Sequence, residues 1–291
     1  MYARFGDSGY LLPASYNDDA DDTRNMTVRP DDVWLTSYPR SGTNWTLELM
    51  WLLMNDIDFD ASKKTPIHIK LFYEETINGS SPRFIQTHIA FSLLPPHLLD
   101  TAKVVYIARD PRDVAVSYYH FINFFNCFLS YNYQSKSHPT LASPERRRLV
   151  NSMAAAGRNV AATPFSTALI RHRRSEDASV GVALIMYLYL IANMFQDLPS
   201  CIRRLADFLS KEVTDEQTVK LCEYLDIENF KRNESVNPPW LNQVNPAAES
   251  FVRKGKVLYT KYFDEEMAAQ AQAWVEDSLA GSHLRFPTHT V

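Results

Sequence analysis

The sequence predicts an α/β fold with a central, mostly parallel sheet flanked by helices, and three observations carry that prediction. Short strand-like runs at Val33–Ser37, Phe84–Thr87 and Lys103–Ala108 alternate with helix-like patterns, the rhythm of a parallel α/β sheet. The run Lys-Val-Val-Tyr-Ile-Ala is apolar on both faces, as a strand covered on both sides requires. The first strand leads through a small polar loop directly into a helix-like pattern, where open α/β sheets build ligand sites. The 291 residues fit one large α/β domain or two small ones. With no internal repeat and no clean linker, the reading is an irregular lead over residues 1–30 and a single domain over 31–291.

The elements follow in order. After the strand Val33–Ser37, residues Trp45, Leu47, Leu49, Trp51 and Leu52 begin an apolar helix over 45–54. Residues 67–77 are mixed, and His88 ends the strand Phe84–Thr87. Pro96 suits a first helical position and opens a short turn. Asp110 and Asp113 place acid at the start of a helix that runs through Tyr119 towards Phe125. Residues 130–180 are the least legible, with a helix expected over 145–160. A strand is expected over 182–187, then helices over 198–209, 214–225 and 264–279. The uncharged stretch 178–196 is read as a buried strand entering a helix, because Gly181 and Asn193 interrupt it and its apolar part is short for a bilayer.

Composition narrows the function classes. Hydrophobic and charged fractions of 45% and 22% are those of an ordinary globular protein. A net charge of −4 argues against nucleic acid as the main partner. Cys127, Cys201 and Cys222 form no disulfide framework and share no metal spacing. The polar first 29 residues read as no signal peptide. The expected setting is cytoplasmic, with no membrane partner. The acidic stretch at 56–60 resembles a calcium loop only superficially, since Ala61 and Ile67 stand where Gly and Glu are needed.

The chemistry concentrates in four segments. Residues 38–45 read Tyr-Pro-Arg-Ser-Gly-Thr-Asn-Trp. Backbone N–H groups at a helix start, with about half a positive charge from the helix dipole, make an anion site. Arg40 adds charge, and Ser41 and Thr43 add donors. The Lys of a nucleotide-hydrolysing P-loop is missing after Gly42. The loop alone therefore leaves phosphate binding and an ordinary strand–turn–helix both open. Residues 109–121 hold the pattern Arg-x-Pro-x-Asp-x-x-x-Ser-Tyr-Tyr-His-Phe, with Arg109 at a strand end and Ser117 two turns on. Its plain reading is a helix-start Arg109 paired with Asp113. Phe251, Val252, Arg253, Lys254 and Gly255 form a basic loop, and His88 closes Gln-Thr-His.

These four segments resemble the motifs of the cytosolic sulfotransferases, and the ending from Tyr262 to Pro287 resembles insect members. The resemblance spans residues 31–121 and 198–286. It implies the sulfotransferase fold and sulfuryl transfer from PAPS (3′-phosphoadenosine 5′-phosphosulfate) to a hydroxyl or amine of a small hydrophobic acceptor, without a metal. It assigns Arg40, Ser41, Gly42, Thr43, Asn44 and Trp45 to the phosphosulfate and adenine side. Arg109, Ser117 and the loop Phe251, Val252, Arg253, Lys254 and Gly255 fall to the 3′-phosphate. His88 becomes the general base, and Arg40 a stabiliser of leaving-group charge. A neutral imidazole suits removal of the acceptor proton.

The chain departs from the family pattern in several places. Arg40 replaces a Lys and cannot give up a proton. Asn44 replaces a second Thr, and Gln86 replaces a Lys that helps position the transferring group. Ile191, Ala192 and Asn193 stand where the family has Tyr-Glu-Asp, so the adenine-stacking Tyr is absent unless Tyr187 or Tyr189 substitutes. These departures motivate an alternative, a protein of the same fold that binds PAPS or its product PAP with weak or no turnover. Phe72, Phe91, Phe121, Phe124 and Phe125 are candidate acceptor walls. Acceptor identity and oligomeric state are not legible.

Overall fold

The structure is a computed structural model, and it describes residues 2–7, 9–70, 79–129, 186–190, 196–239, 252, 259–280 and 286. The chain opens with an antiparallel hairpin, β1 (Tyr2–Phe5) and β2 (Tyr10–Pro13), followed by helix α1 (Tyr16–Asn25). The lead is therefore structured, against the expectation of an irregular segment. Gly6 and Gly9, both at φ +65°, take the left-handed conformation that the turn requires, and Gly9 N–H donates to Gly6 O at 3.0 Å. Asp18 and Asp19 lie in the first turn of α1, where negative charge favours the helix.

The central sheet holds β3 (Val33–Ser37), β4 (Phe84–Thr87), β5 (Lys103–Ala108) and β6 (Met186–Leu190), all parallel, in the order β4-β3-β5-β6. Of the strand expected over 182–187, residues 186 and 187 fall in β6, and residues 182–185 lie outside the described residues. The register of β6 pairs Val104 with Met186 through Ala108 with Leu190. The helix reading for the rest of that stretch, and the helix over 145–160, lie outside the described residues.

Helix α2 (Thr43–Met54) begins two residues earlier than its apolar pattern suggested. It packs with α7 (Leu198–Phe208) and α8 (Asp215–Leu225) over one face of the sheet, around Leu35, Leu47, Val105, Ile202 and Leu221. The other face is covered by α5 (Leu98–Thr101), which starts after Pro96 rather than at it, and by α10 (Glu265–Ser278). Between them run two short helices, α3 (Phe59–Lys64) and α4 (Ile67–Lys70), then α6 (Pro111–Leu129) and α9 (Ile227–Arg232). Of the calcium-like acids, Asp60 lies in α3 and Asp58 caps it, accepting from the Asp60 and Ala61 amides. Thr214 and Gln217 close a reciprocal capping box on α8.

One polar cluster sits within this apolar packing. Glu48 of α2 is fully buried, and Lys70 Nζ lies 2.7 Å from its Oε2. Ser62 donates to the same carboxylate, and Tyr224 donates at 3.0 Å. Burial, reinforced by the Glu48 charge, pushes the Tyr224 hydroxyl up to about 12.

Candidate active site

Parallel strands end together, so their carboxyl ends gather the loops. Here Ser37 ends β3, His88 follows β4, and Arg109 follows β5. The β3–α2 loop is tight. Arg40 adopts φ 70° and Gly42 φ 101°, a conformation natural for glycine and uncommon for arginine. Thr46 N–H makes the first helical bond to Gly42 O at 3.1 Å. The N–H groups of the first turn have no carbonyl within the helix to receive them, which is the physical basis of an anion site there. Ser41 and Thr43 are buried with their hydroxyls in this loop. Trp45 is buried too, and its indole N–H donates to Leu225 O at 2.8 Å, fixing α2 to the end of α8.

The β5–α6 turn meets this loop. Arg109 Nη1 donates to Arg40 O at 3.2 Å, and Arg40 Nε donates to Ser117 Oγ at 3.2 Å. The Arg40 guanidinium lies 5.1 Å from the centre of the Phe121 ring. Arg109 also stands 3.9 Å from the Asp113 carboxylate. The plain pairing expected there thus coexists with a link across to the loop. Two guanidinium groups and a buried hydroxyl converge at one corner of the sheet, a suitable seat for a phosphate monoester.

His88 faces this corner from β4. Its Nδ1 lies 2.8 Å from Ser37 O. A carbonyl only accepts, so Nδ1 carries the proton and donates, which leaves the lone pair on Nε2. The residue is exposed, but neighbouring protein replaces part of the water around its ring. That loss of water lowers its pKa below the ordinary imidazole value, and the Ser37 carbonyl bond opposes the shift only in part. Ser37 does more than end a strand. Its hydroxyl lies 2.8 Å from Thr43 Oγ1, so one residue joins the β3–α2 loop to the histidine. Sequence reading passed over Ser37, whose only signal was its place immediately before the loop.

Gln86, two residues before His88, has a buried Nε2 with no partner among the described residues. Asn44 is half-buried. Of the basic loop, Val252 alone is described, packed against the main core; Phe251, Arg253, Lys254 and Gly255 lie outside the described residues. So do residues 191–193, while Tyr187 and Tyr189 belong to β6. Among the candidate acceptor aromatics, Phe91 packs 5.6 Å from Tyr106 and Phe121 sits under Arg40. Phe72 and the side chains of Phe124 and Phe125 fall outside the description.

Comparison with known proteins agrees with this arrangement. The Sulfotransferase domain family matches residues 30–283. Luciferin sulfotransferase of Photinus pyralis is 27% identical, over 97% of this chain and 80% of that protein. Sulfotransferase 1B1 of Canis lupus familiaris is 26% identical, over 96% and 94% respectively. A crystal structure of retinol dehydratase in complex with androsterone and inactive cofactor PAP superposes with a TM-score of 0.78 at 31% identity, covering 99% of this chain and 92% of that one. A domain match that takes in every described strand of the central sheet, with the β3–α2 loop linked through Ser37 to a histidine, makes this chain a member of the sulfotransferase family.

Proposed function

We propose that this sulfotransferase moves the sulfuryl group of PAPS to a hydroxyl or amine of a small hydrophobic acceptor, with His88 as general base. The observation that carries the base assignment is the Ser37 carbonyl bond to His88 Nδ1, at 2.8 Å, which leaves Nε2 free to take a proton. As the acceptor oxygen bonds to sulfur, its proton passes to Nε2. The bond from sulfur to the phosphate oxygen breaks, and PAP leaves as the bisphosphate. Charge growing on that oxygen is met by the first turn of α2 and by Thr43, held by Ser37. Arg40 supports this side, while Trp45 anchors the helix beneath it.

Arg109 and Ser117 take the 3′-phosphate, together with Arg253 and Gly255 of the basic loop. PAP in the retinol dehydratase complex supports the donor, and the retinol, androsterone and luciferin of the relatives' names support an apolar alcohol or phenol as acceptor. Gln86 offers a buried amide where the family has a Lys. We read residues 31–291 as one catalytic unit in the cytoplasm. Free Cys201 and Cys222 fit a reducing compartment, and no helix among the described residues is long and apolar enough to cross a membrane.

The test has two stages. Adenosine 3′,5′-bisphosphate at about 100 times its dissociation constant adds roughly 2.7 kcal/mol of stability, read as a rise in melting temperature. Sulfate transfer from PAPS to a panel of phenols and alcohols then establishes turnover. No thermal shift with the bisphosphate, beside a shift with ATP and magnesium, would overturn the donor. A shift without transfer to any acceptor would reduce the chain to a binding protein.

A further inference from the structure

Helices α3, α8 and α9 line a cavity of about 680 Å³, within the range of about 300–1,000 Å³ typical of small-molecule sites. None of its described lining residues belongs to the β3–α2 loop, to the β5–α6 turn or to the strand end at His88. Part of its wall is aromatic: the half-buried rings of Phe59 and Tyr224 meet with centres 5.0 Å apart. Lys63 lies in the last turn of α3 and Arg232 in the last turn of α9, and both line the cavity. We propose that this cavity binds a flat aromatic anion at a site separate from those for donor and acceptor. The ring of that ligand rests on Phe59 and Tyr224, and its acidic group is met by Lys63 and Arg232.

Charge selects the class of ligand. The lining carries Lys63, Lys220 and Arg232 against Glu223 and Glu234. Lys220 is held by Glu216 at 2.7 Å and also feels the charge of Glu223. Lys63 and Arg232 form no ion pair among the described residues. Lys63 Nζ stands 5.9 Å from the centre of the Tyr224 ring, and Arg232 donates to the Asn229 side-chain oxygen at 2.6 Å. Both therefore keep N–H groups to spare beside the aromatic wall, while Glu234 offsets part of their charge. An ammonium and a guanidinium suit a sulfonate, sulfate or carboxylate. The wall is also fixed before a ligand arrives, which lowers the cost of binding. The Tyr224 hydroxyl donates to buried Glu48 at 3.0 Å and accepts from Asn233 at 2.9 Å. The Asn229 amide donates to Glu223 O at 2.6 Å.

The experiment titrates naphthalenesulfonate into the full chain by calorimetry, with adenosine 3′,5′-bisphosphate present at about 100 times its dissociation constant. Lys63→Glu and Arg232→Glu are each expected to weaken sulfonate binding about tenfold or more. Each loses a charge-assisted contact and adds a repulsion. Naphthylmethylammonium, with a similar ring and the opposite charge, is expected to bind at least about tenfold more weakly than the sulfonate. Both variants change exposed side chains, so melting temperatures should stay near the parent value. Should either fail to fold, Lys63→Met or Arg232→Met is read in its place. Sulfonate affinity unchanged in either variant puts the ligand elsewhere, the acceptor site included, and overturns the proposal. The absence of binding at millimolar sulfonate overturns it too, as does an ammonium that binds as tightly. If the bisphosphate itself does not bind, the donor reading falls, and the same titrations without it still decide this site.

Discussion

The phosphate-loop side and the histidine side of this site are built over different distances in the chain. Residues 37–46 form a local unit: strand end, two positive-φ residues, helix start, with the Ser37–Thr43 bond spanning six positions. The ground around His88 is assembled from afar. Ser37 is 51 positions away, and the Tyr10–Ser92 bond spans 82. A local unit keeps its shape as long as its own turn chemistry is kept. A non-local one depends on the packing of everything that brings it together.

The largest expected effect separates the two sides outright. His88→Ala should lower kcat by about 10²–10⁴-fold and leave the bisphosphate thermal shift intact. Undiminished turnover in that variant would refute the base assignment. Next, Lys70→Met leaves the Glu48 carboxylate buried without its cation, and should cost about 3–5 kcal/mol in a urea titration. A loss below about 1 kcal/mol would mean that the pair does not anchor α2. Trp45→Phe removes the bond to Leu225 O and should cost about 1–3 kcal/mol, checked by its melting temperature. A variant as stable as the parent would show that α2 needs no tie to α8.

The smallest effect is in the pH profile. Desolvation by the surrounding protein lowers the His88 pKa, so the neutral base persists to lower pH than a free imidazole would. The acidic limb of kcat/KM should therefore fall below the usual imidazole range. A limb at or above that range would point to another base. The sign for stability is the same. The unfolded chain takes up this proton first as pH falls, so His88 costs nothing above its unfolded pKa and destabilises progressively below it.

Elements with local signals were legible. Val33–Ser37, Phe84–Thr87 and Lys103–Ala108 were readable from apolar runs with clear stops, and α8 and α10 from helix-like patterns whose expected starts, Thr214 and Asp264, prove to be their caps. The hairpin was not, because Arg4 and the glycines gave no alternation strong enough to mark strands. Its stability comes from the Phe91–Leu93 turn and α1. The expected strand and β6 share residues 186 and 187, which an uncharged apolar run marked as buried and which β5 pairs. In the site, the loop and His88 were visible as residue types at strand ends. The contribution of Ser37 was not, since a serine closing a strand says nothing about which carbonyl will meet which imidazole.

The Glu48–Lys70 pair has a consequence for descent. Neither residue can be exchanged alone without stranding a charge in the core, though joint replacement by apolar side chains of similar volume is tolerated in other proteins. Lineages related to this chain should therefore carry both or neither. The helix that opens at the phosphate loop would then change its interior only in paired steps, while the surface around it drifts one residue at a time.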